Sequence, residues 1–110
     1  MIKLKKILTE KEDSKQEKDF EEFAETRGKG AAKIATTAEE KGGLALLTWH
    51  HFKVKASYYK KAAEGKFNVE EAEKEFEATY KKISLSMTPI EFQREVGRLE
   101  VLGELLIKNK

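Results

Sequence analysis

The chain has 110 residues, 38% of them charged, and its 22 basic and 20 acidic residues leave a formal net charge of +2. This length allows one domain with a modest core, and a single proline among so many charged residues favours helices over sheets. The balanced charge argues against bulk attraction to nucleic acid, and the absence of cysteine excludes a disulfide framework and a thiolate metal site.

Residues 1–14 combine a short amphipathic stretch with a charged run. Two helical turns are marginal on their own in water, so we expect a mobile N-terminal segment followed by a single helical domain, residues 15–110. The segment lacks the long apolar region and cleavage site of a secretory signal. Because no apolar run reaches the ~20 residues that span a bilayer, we expect no membrane association and a cytoplasmic or virion location.

The first long helix is predicted over residues 15–41. Gly28 and Gly30 weaken it, since each costs about 1 kcal/mol relative to alanine. The apolar positions keep their helical phase across these glycines, so we favour one helix, weak or bent there, over two independent ones. These positions are Phe20, Phe23, Ala24, Ala31, Ile34, Ala35 and Ala38. Gly42 and Gly43 end the helix, and so short a link predicts an antiparallel return.

The next helix, predicted over Leu44–Glu64, carries two apolar stripes. The first contains Leu44, Leu47, His51, Val54 and Tyr58, and the second Ala45, Trp49, Phe52, Ala56, Tyr59 and Ala63. The remaining polar wedge holds His50, Lys53, Ser57, Lys60 and Lys61. Since an ordinary surface helix has one stripe, two stripes predict a central helix with neighbours on both sides.

The third helix is predicted over Asn68–Ile83 because Asn68 and Glu71 have the spacing of an N-terminal cap. Phe67 stands before the cap, where it can staple the first turn. The inward stripe is predicted to contain Val69, Ala72, Phe76, Tyr80 and Ile83.

The fourth helix has the clearest start, because Thr88, Pro89 and Glu91 combine a cap, a first-turn proline and the acid of a capping box. Its predicted buried stripe contains Phe92, Val96, Leu99, Leu102 and Leu106, with Gly103 where a neighbouring backbone can approach. Ile90 and Val101 fall off that stripe. We therefore predict an all-α protein, a four-helix up-and-down antiparallel bundle with a flexible N-terminal segment.

The two histidines do not form a recognisable catalytic or metal motif. Adjacent helical residues point about 100° apart, so His50 and His51 cannot chelate one ion without other ligands. The chain contains no metalloprotease, nucleophile-elbow or phosphate-loop signature. We interpret His51 as a hydrogen-bonded core residue and predict no enzymatic activity, no metal and no cofactor.

Trp49 is the best candidate for contact with a partner. If neighbouring helices cover it fully, it is an ordinary core residue. If it stays partly uncovered, Trp49 with His50, Lys53 and Lys60 forms an aromatic anchor ringed by polar groups, the pattern of a protein-binding hot spot. We therefore predict protein–protein contacts with an unidentified partner, and the oligomeric state stays open.

The alternative function is nucleic-acid association through a basic-aromatic helix face. That face interleaves lysines with aromatic residues: Lys53, Lys55, Lys60 and Lys61 with Trp49, Tyr58 and Tyr59. The same aromatic residues also fit the two core stripes, so the pattern serves both interpretations.

Two stretches, residues 42–59 and 91–104, contain short motifs that can be compared with known families. The first contains Gly42-Gly43-Leu44, Leu47-Thr48, His51-Phe52-Lys53 and Tyr58-Tyr59, and the second Glu91-Phe92-Gln93 and residues 97–104. They resemble short uncharacterised proteins of marine myoviruses, especially phages of cyanobacteria. The resemblance implies a bacteriophage protein in the virion or the host cytoplasm, and it carries no catalytic residues because that family has no established activity.

The first ten residues are similar to the openings of many such phage proteins. In some contractile-tailed phages a comparable leader directs proteins into the immature head, where a protease cuts after Leu/Ile-x-Glu. Leu8, Thr9 and Glu10 match this pattern, whereas Lys11 departs from the small residue preferred after the cut. The resemblance implies a head-targeting leader but leaves its cleavage open.

Overall fold

The computed structural model describes the backbone of residues 2–83 and 87–109 and the side chains of residues 17–83 and 87–109. It contains four helices: α1 (Ile2–Lys41), α2 (Ala45–Ala63), α3 (Val69–Lys82) and α4 (Pro89–Asn109). The predicted all-α bundle is confirmed. Helix α1 begins at Ile2, but the side chains of residues 1–14 lie outside the described part, so the mobility of that segment stays a prediction.

The α1–α2 turn and the starts of α3 and α4 lie where the local signals placed them, whereas α1 begins at Ile2 instead of near residue 15. Gly42 and Gly43 both have positive φ angles, of 65° and 59°, and they separate α1 from α2. The side chain of Asn68 accepts a hydrogen bond from the backbone N–H of Glu71 at 3.0 Å and caps α3. At α4 the Thr88 hydroxyl accepts from the backbone N–H of Glu91 at 3.2 Å. Side-chain caps and glycines therefore fix the boundaries.

Helix α1 passes through its two glycines without a break, as predicted. Gly28 lies against α2, where an added Cβ would come within 3.1 Å of the Tyr59 Cβ, whereas Gly30 has open space around it. The residues of α1 that are buried are Phe20, Ala24, Ala31, Ala35 and Ala38. The prediction was wrong for Ile34, which is 43% exposed, because α2 covers a narrower strip of α1 than the apolar pattern suggested.

The helices alternate in direction. Helix α1 runs antiparallel to α2, since Phe20 packs on Phe67 while Gly28 faces Tyr59. Helix α3 runs antiparallel to α4, since the Lys82 ammonium lies 3.4 Å from Glu95 and an added Cβ at Gly103 would meet the Phe76 ring. This is the expected up-and-down order.

Helices α2 and α4, which run parallel, pack directly against each other. The contact is closest at Gly97, where an added Cβ would lie 2.7 Å from the backbone oxygen of His51. Helix α1 packs on a different face of α2 and also touches α4, where Arg27 lies 3.4 Å from Glu104, and α3 packs on α4. Helix α2 is therefore central, as predicted, and the described residues form a flat molecule of 58 × 29 × 15 Å in which α1 and α3 do not pack together.

The core forms where α1, α2 and α4 meet. Its buried members are Phe20, Ala24, Ala31, Tyr59, Ala62, Val101 and Leu105. Val101 was placed off the buried stripe of α4, and this was wrong: it is fully buried, whereas Phe92 is 42% exposed. The face of α4 is rotated because two helices, α2 and α3, contact it from different sides.

Two further residues differ from the expected stripes. Leu44 is 87% exposed because it lies in the turn before α2 rather than inside the helix. Tyr80 of α3 is 67% exposed, and the neighbouring Thr79 is buried in its place. Gly103 does accept a close neighbour, but the neighbour is the ring of Phe76 rather than a backbone.

Candidate functional site

The outward side of α2 brings together three of the four predicted contact residues. Trp49 and His50 are partly buried and Lys53 is exposed. Leu46 precedes them by three, four and seven residues and therefore lies on the same side of the helix, where it is 40% exposed. We call these four residues, Leu46, Trp49, His50 and Lys53, the Trp49 face.

The indole of Trp49 is flanked by both polar members of the face. The Lys53 ammonium lies 4.5 Å from the centroid of the Trp49 ring, in cation–π geometry. The His50 ring meets Trp49 edge-on, with centroids 4.6 Å apart. Of the two alternatives for Trp49, full coverage is excluded because it is only partly buried. The indole is an apolar surface framed by one cation and one imidazole.

Lys60 is not part of this face. It is exposed and lies seven residues beyond Lys53, about 10 Å further along the helix axis. Its backbone nitrogen lies near Gly28, 3.9 Å from where a Cβ on that glycine would stand. Lys60 therefore borders the α1–α2 contact instead of the indole.

Leu46 was missed by the sequence interpretation. It falls outside both apolar stripes, and it is the one large apolar residue on the polar wedge of α2. Its position on the polar wedge could have indicated a contact residue, because an apolar side chain on a solvated helix face packs into no core of its own chain.

His51 lies inside the α2–α4 contact, as expected for a core histidine. Its Nε2 is 3.1 Å from the Glu100 carboxylate, and its Nδ1 is buried without a hydrogen bond. Burial lowers the pKa of His51 below the ordinary 6.5, and the nearby Lys55 ammonium lowers it further, while Glu100 opposes both. The neutral imidazole is therefore favoured in the fold.

The two tyrosines of α2 hold neighbouring helices. The Tyr58 hydroxyl donates to Glu75 of α3, and the Tyr59 hydroxyl donates to Glu104 of α4 at 2.9 Å. Burial raises the pKa of Tyr58 to about 12, and the hydrogen bond to Glu75 adds to the effect. Burial likewise raises the pKa of Tyr59, assisted by Glu104.

These contacts leave fewer residues available on the basic-aromatic face that was predicted as an alternative site for nucleic acid. Tyr58 and Tyr59 are engaged inside the bundle, and the Lys55 ammonium lies 3.3 Å from Glu100 with only 15% of its side chain exposed. Three of the seven residues of that face are therefore unavailable for stacking on bases or pairing with phosphates.

A charged cluster that the sequence interpretation missed connects α3 to α4. Glu95 is buried, with 7% of its side chain exposed, and both its oxygens lie 3.2 Å from an Arg98 nitrogen. The Lys82 ammonium lies 3.4 Å from the same carboxylate, and the Arg98 Nε lies 3.8 Å from Glu75. From the sequence, helical periodicity places Glu95 outside the apolar stripe of α4. Only the packing of α3 against α4 shows that its carboxylate is buried.

Two further features were sought in the described residues, a metal-binding cluster and a membrane-spanning helix. Over residues 17–83 and 87–109 no three His, Asp or Glu side chains lie close enough together to hold a metal ion. Among the helices that the structure describes, none has a stretch long and apolar enough to cross a bilayer.

Comparison of the chain with models of protein families, with curated proteins and with solved structures finds no match.

Proposed function

We propose that this chain is a non-enzymatic helical protein that mediates protein–protein contacts through the Trp49 face. The observation that carries the proposal is the partly buried indole of Trp49 beside an exposed leucine and framed by Lys53 and His50. Tryptophan is enriched among the residues that dominate binding energy, especially where polar groups surround it. The cation–π contact also holds Lys53 in place, which reduces the entropy lost when a partner covers the ring.

The setting of this contact is a phage particle or a host target. The resemblance to myovirus proteins supports this part of the proposal. Mass spectrometry of purified particles tests it by asking whether the chain is present and at which residue it begins. A first residue of Lys11 would support removal of a head-targeting leader.

Surface variants test the contact itself. Leu46→Glu and Lys53→Glu change exposed side chains of the Trp49 face, so we expect the fold to survive and partner binding to be lost. Val69→Glu and Lys74→Glu are matched controls, because they change an exposed valine and an exposed lysine on α3. A partner released equally by both pairs would contradict the proposal.

Tryptophan fluorescence gives an independent measurement, since Trp49 is the only tryptophan. We expect acrylamide to quench the free protein and the quenching to fall when the partner is added. Binding of single-stranded DNA that weakens steeply with salt, and that needs Lys53 and Lys60, would support the nucleic-acid alternative instead.

A further inference from the structure

A shallow groove lies where the last turns of α1 meet the first turn of α2. It has a volume of about 330 Å³, and Ala38 and Ala45 lie on the line where the two helices meet. Ile34 stands at its edge and is 43% exposed. This volume is at the lower end of the ~300–1,000 Å³ found for small-molecule pockets, so the groove suits a few apolar side chains of a larger partner.

The charges around the groove have one sign. Lys33 and Lys41 line it, eight residues and therefore about 12 Å apart along α1. Neither lysine forms an ion pair with a carboxylate of residues 17–83 or 87–109. Glu39 and Glu40, the nearest acids in the sequence, do not line the groove. Two cations that pair with no carboxylate of the described residues therefore flank an apolar strip.

A second groove of the molecule shows the contrast. It lies along α4 and is lined by the paired charges of Lys55 and Glu100, and by Glu104, which lies 3.4 Å from Arg27. Three of its four charged side chains are therefore paired within the chain, and the fourth, Lys108, lies over the Phe23 ring. The groove at the α1–α2 turn instead has two cations, Lys33 and Lys41, that pair with no carboxylate of residues 17–83 or 87–109.

We propose that the groove at the α1–α2 turn binds an acidic amphipathic helix of a partner protein. Two acids about two turns apart on that helix would pair with Lys33 and Lys41, and the apolar side chains between them would contact Ile34, Ala38 and Ala45. None of these residues belongs to the Trp49 face. This site and the Trp49 face can therefore fail independently.

The test uses the full chain and a synthetic alanine-rich helix of about 20 residues, because isolated helices shorter than ~12–15 residues are marginal in water. The peptide carries two glutamates about two turns apart with leucines between them, and its twin carries lysines in place of the glutamates. Titration at low ionic strength measures both affinities. We expect the acidic peptide to bind and the basic twin to bind at least about tenfold more weakly.

Charge-reversed variants locate the binding. In Lys33→Glu/Lys41→Glu we expect the affinity for the acidic peptide to fall about tenfold or more. The control, Lys18→Glu/Lys74→Glu, changes the net charge equally at exposed lysines outside the groove and should leave the affinity unchanged. Ile34→Ala should also weaken binding, whereas Ile107→Ala, an exposed isoleucine near the C-terminus, should not.

Three results would overturn the proposal: no binding of the acidic peptide, equal binding of its basic twin, or equal losses in the groove and control variants. All the substituted side chains are exposed, so we expect every variant to fold, and circular dichroism of each variant checks that its helix content is unchanged.

Discussion

The α1–α2 and α3–α4 hairpins are held together by different forces. Helices α1 and α2 meet along small residues, with Ala24, Gly28 and Ala31 facing Tyr59 and Ala62, and the described residues place no ion pair between these two helices. Such a contact depends on close packing.

Helices α3 and α4 instead enclose a carboxylate with its cations. Glu95 is buried between Lys82 and Arg98, and Arg98 also approaches Glu75. Buried charges cost desolvation that their pairing must offset, so this contact depends on every partner being present. The stability of the α1–α2 hairpin should therefore depend on the volume of its side chains, and that of the α3–α4 hairpin on their charge.

The largest loss of stability is expected from truncating a core side chain of α4 where this helix packs on the α1–α2 hairpin. Leu105 is fully buried in the core with Phe20 and Tyr59, so Leu105→Ala should lower the free energy of unfolding by about 2–5 kcal/mol. Leu106→Ala is the control, since Leu106 is only partly buried, and it should cost less. Urea denaturation measures both, and a larger loss for Leu106→Ala would contradict the observed face of α4.

Removing the buried charge should break the second hairpin selectively. Glu95→Gln should lower the free energy of unfolding by about 1–3 kcal/mol, because it leaves Arg98 and Lys82 without their carboxylate. Glu77→Gln removes an exposed pair with Lys81 and should cost under about 0.5 kcal/mol.

Hydrogen exchange can show where the Glu95→Gln protein loosens. We expect the amides of α3 to exchange faster while those of α1 between residues 20 and 41 change little. Equal acceleration in both helices would show that the two hairpins are not independent.

His51 should make stability depend on pH. Its pKa is lower in the fold than the ordinary 6.5, so the unfolded chain binds the proton more readily. The free energy of unfolding should therefore fall as the pH falls below about 6.5, until the lower pKa of the folded state is passed.

Two variants isolate this dependence in denaturation measured between about pH 5 and pH 7. His51→Gln should remove the histidine's part of the slope. Lys55→Gln should reduce it, because the Lys55 ammonium is the second cause of the lowered pKa. An unchanged slope in His51→Gln would exclude this histidine as the source.

The smallest effect compares the two glycines of α1. Gly30 has open space around it, so Gly30→Ala should stabilise the protein by about 0.5–1 kcal/mol through improved helix propensity. At Gly28 an added Cβ would come within 3.1 Å of Tyr59 and force α1 and α2 apart, so Gly28→Ala should be the less stable of the two. Equal thermal midpoints for the two variants would show that the α1–α2 contact is looser than the structure indicates.

Part of the candidate site could be predicted from the sequence. Trp49, His50 and Lys53 were placed together because a helix brings residues three and four apart to one side. Lys60 was included by the same periodicity, but distance along the axis separates it from the indole. Leu46 was missed although its place on the polar wedge was a signal in the sequence. Glu95 was missed because its burial depends on the packing of α3 against α4.

The sequence by itself determined the four helices, the α1–α2 turn, the starts of α3 and α4 and the alternating directions, but not the start of α1 at Ile2. Those features come from short-range interactions, such as the Asn68 cap, the Gly42–Gly43 turn and Pro89 at the start of α4. Only the tertiary structure decided which residues on each helix are buried.

Burial could not be predicted residue by residue because the apolar stripe of a helix is broad, whereas a neighbouring helix covers only a narrow strip of it. Which strip is covered depends on how the other helices pack. Gly97 lets α2 and α4 approach each other directly, and this contact buries Val101 rather than Phe92. This contact joins Gly97 to His51, 46 positions away in the sequence, beyond the reach of any local periodicity.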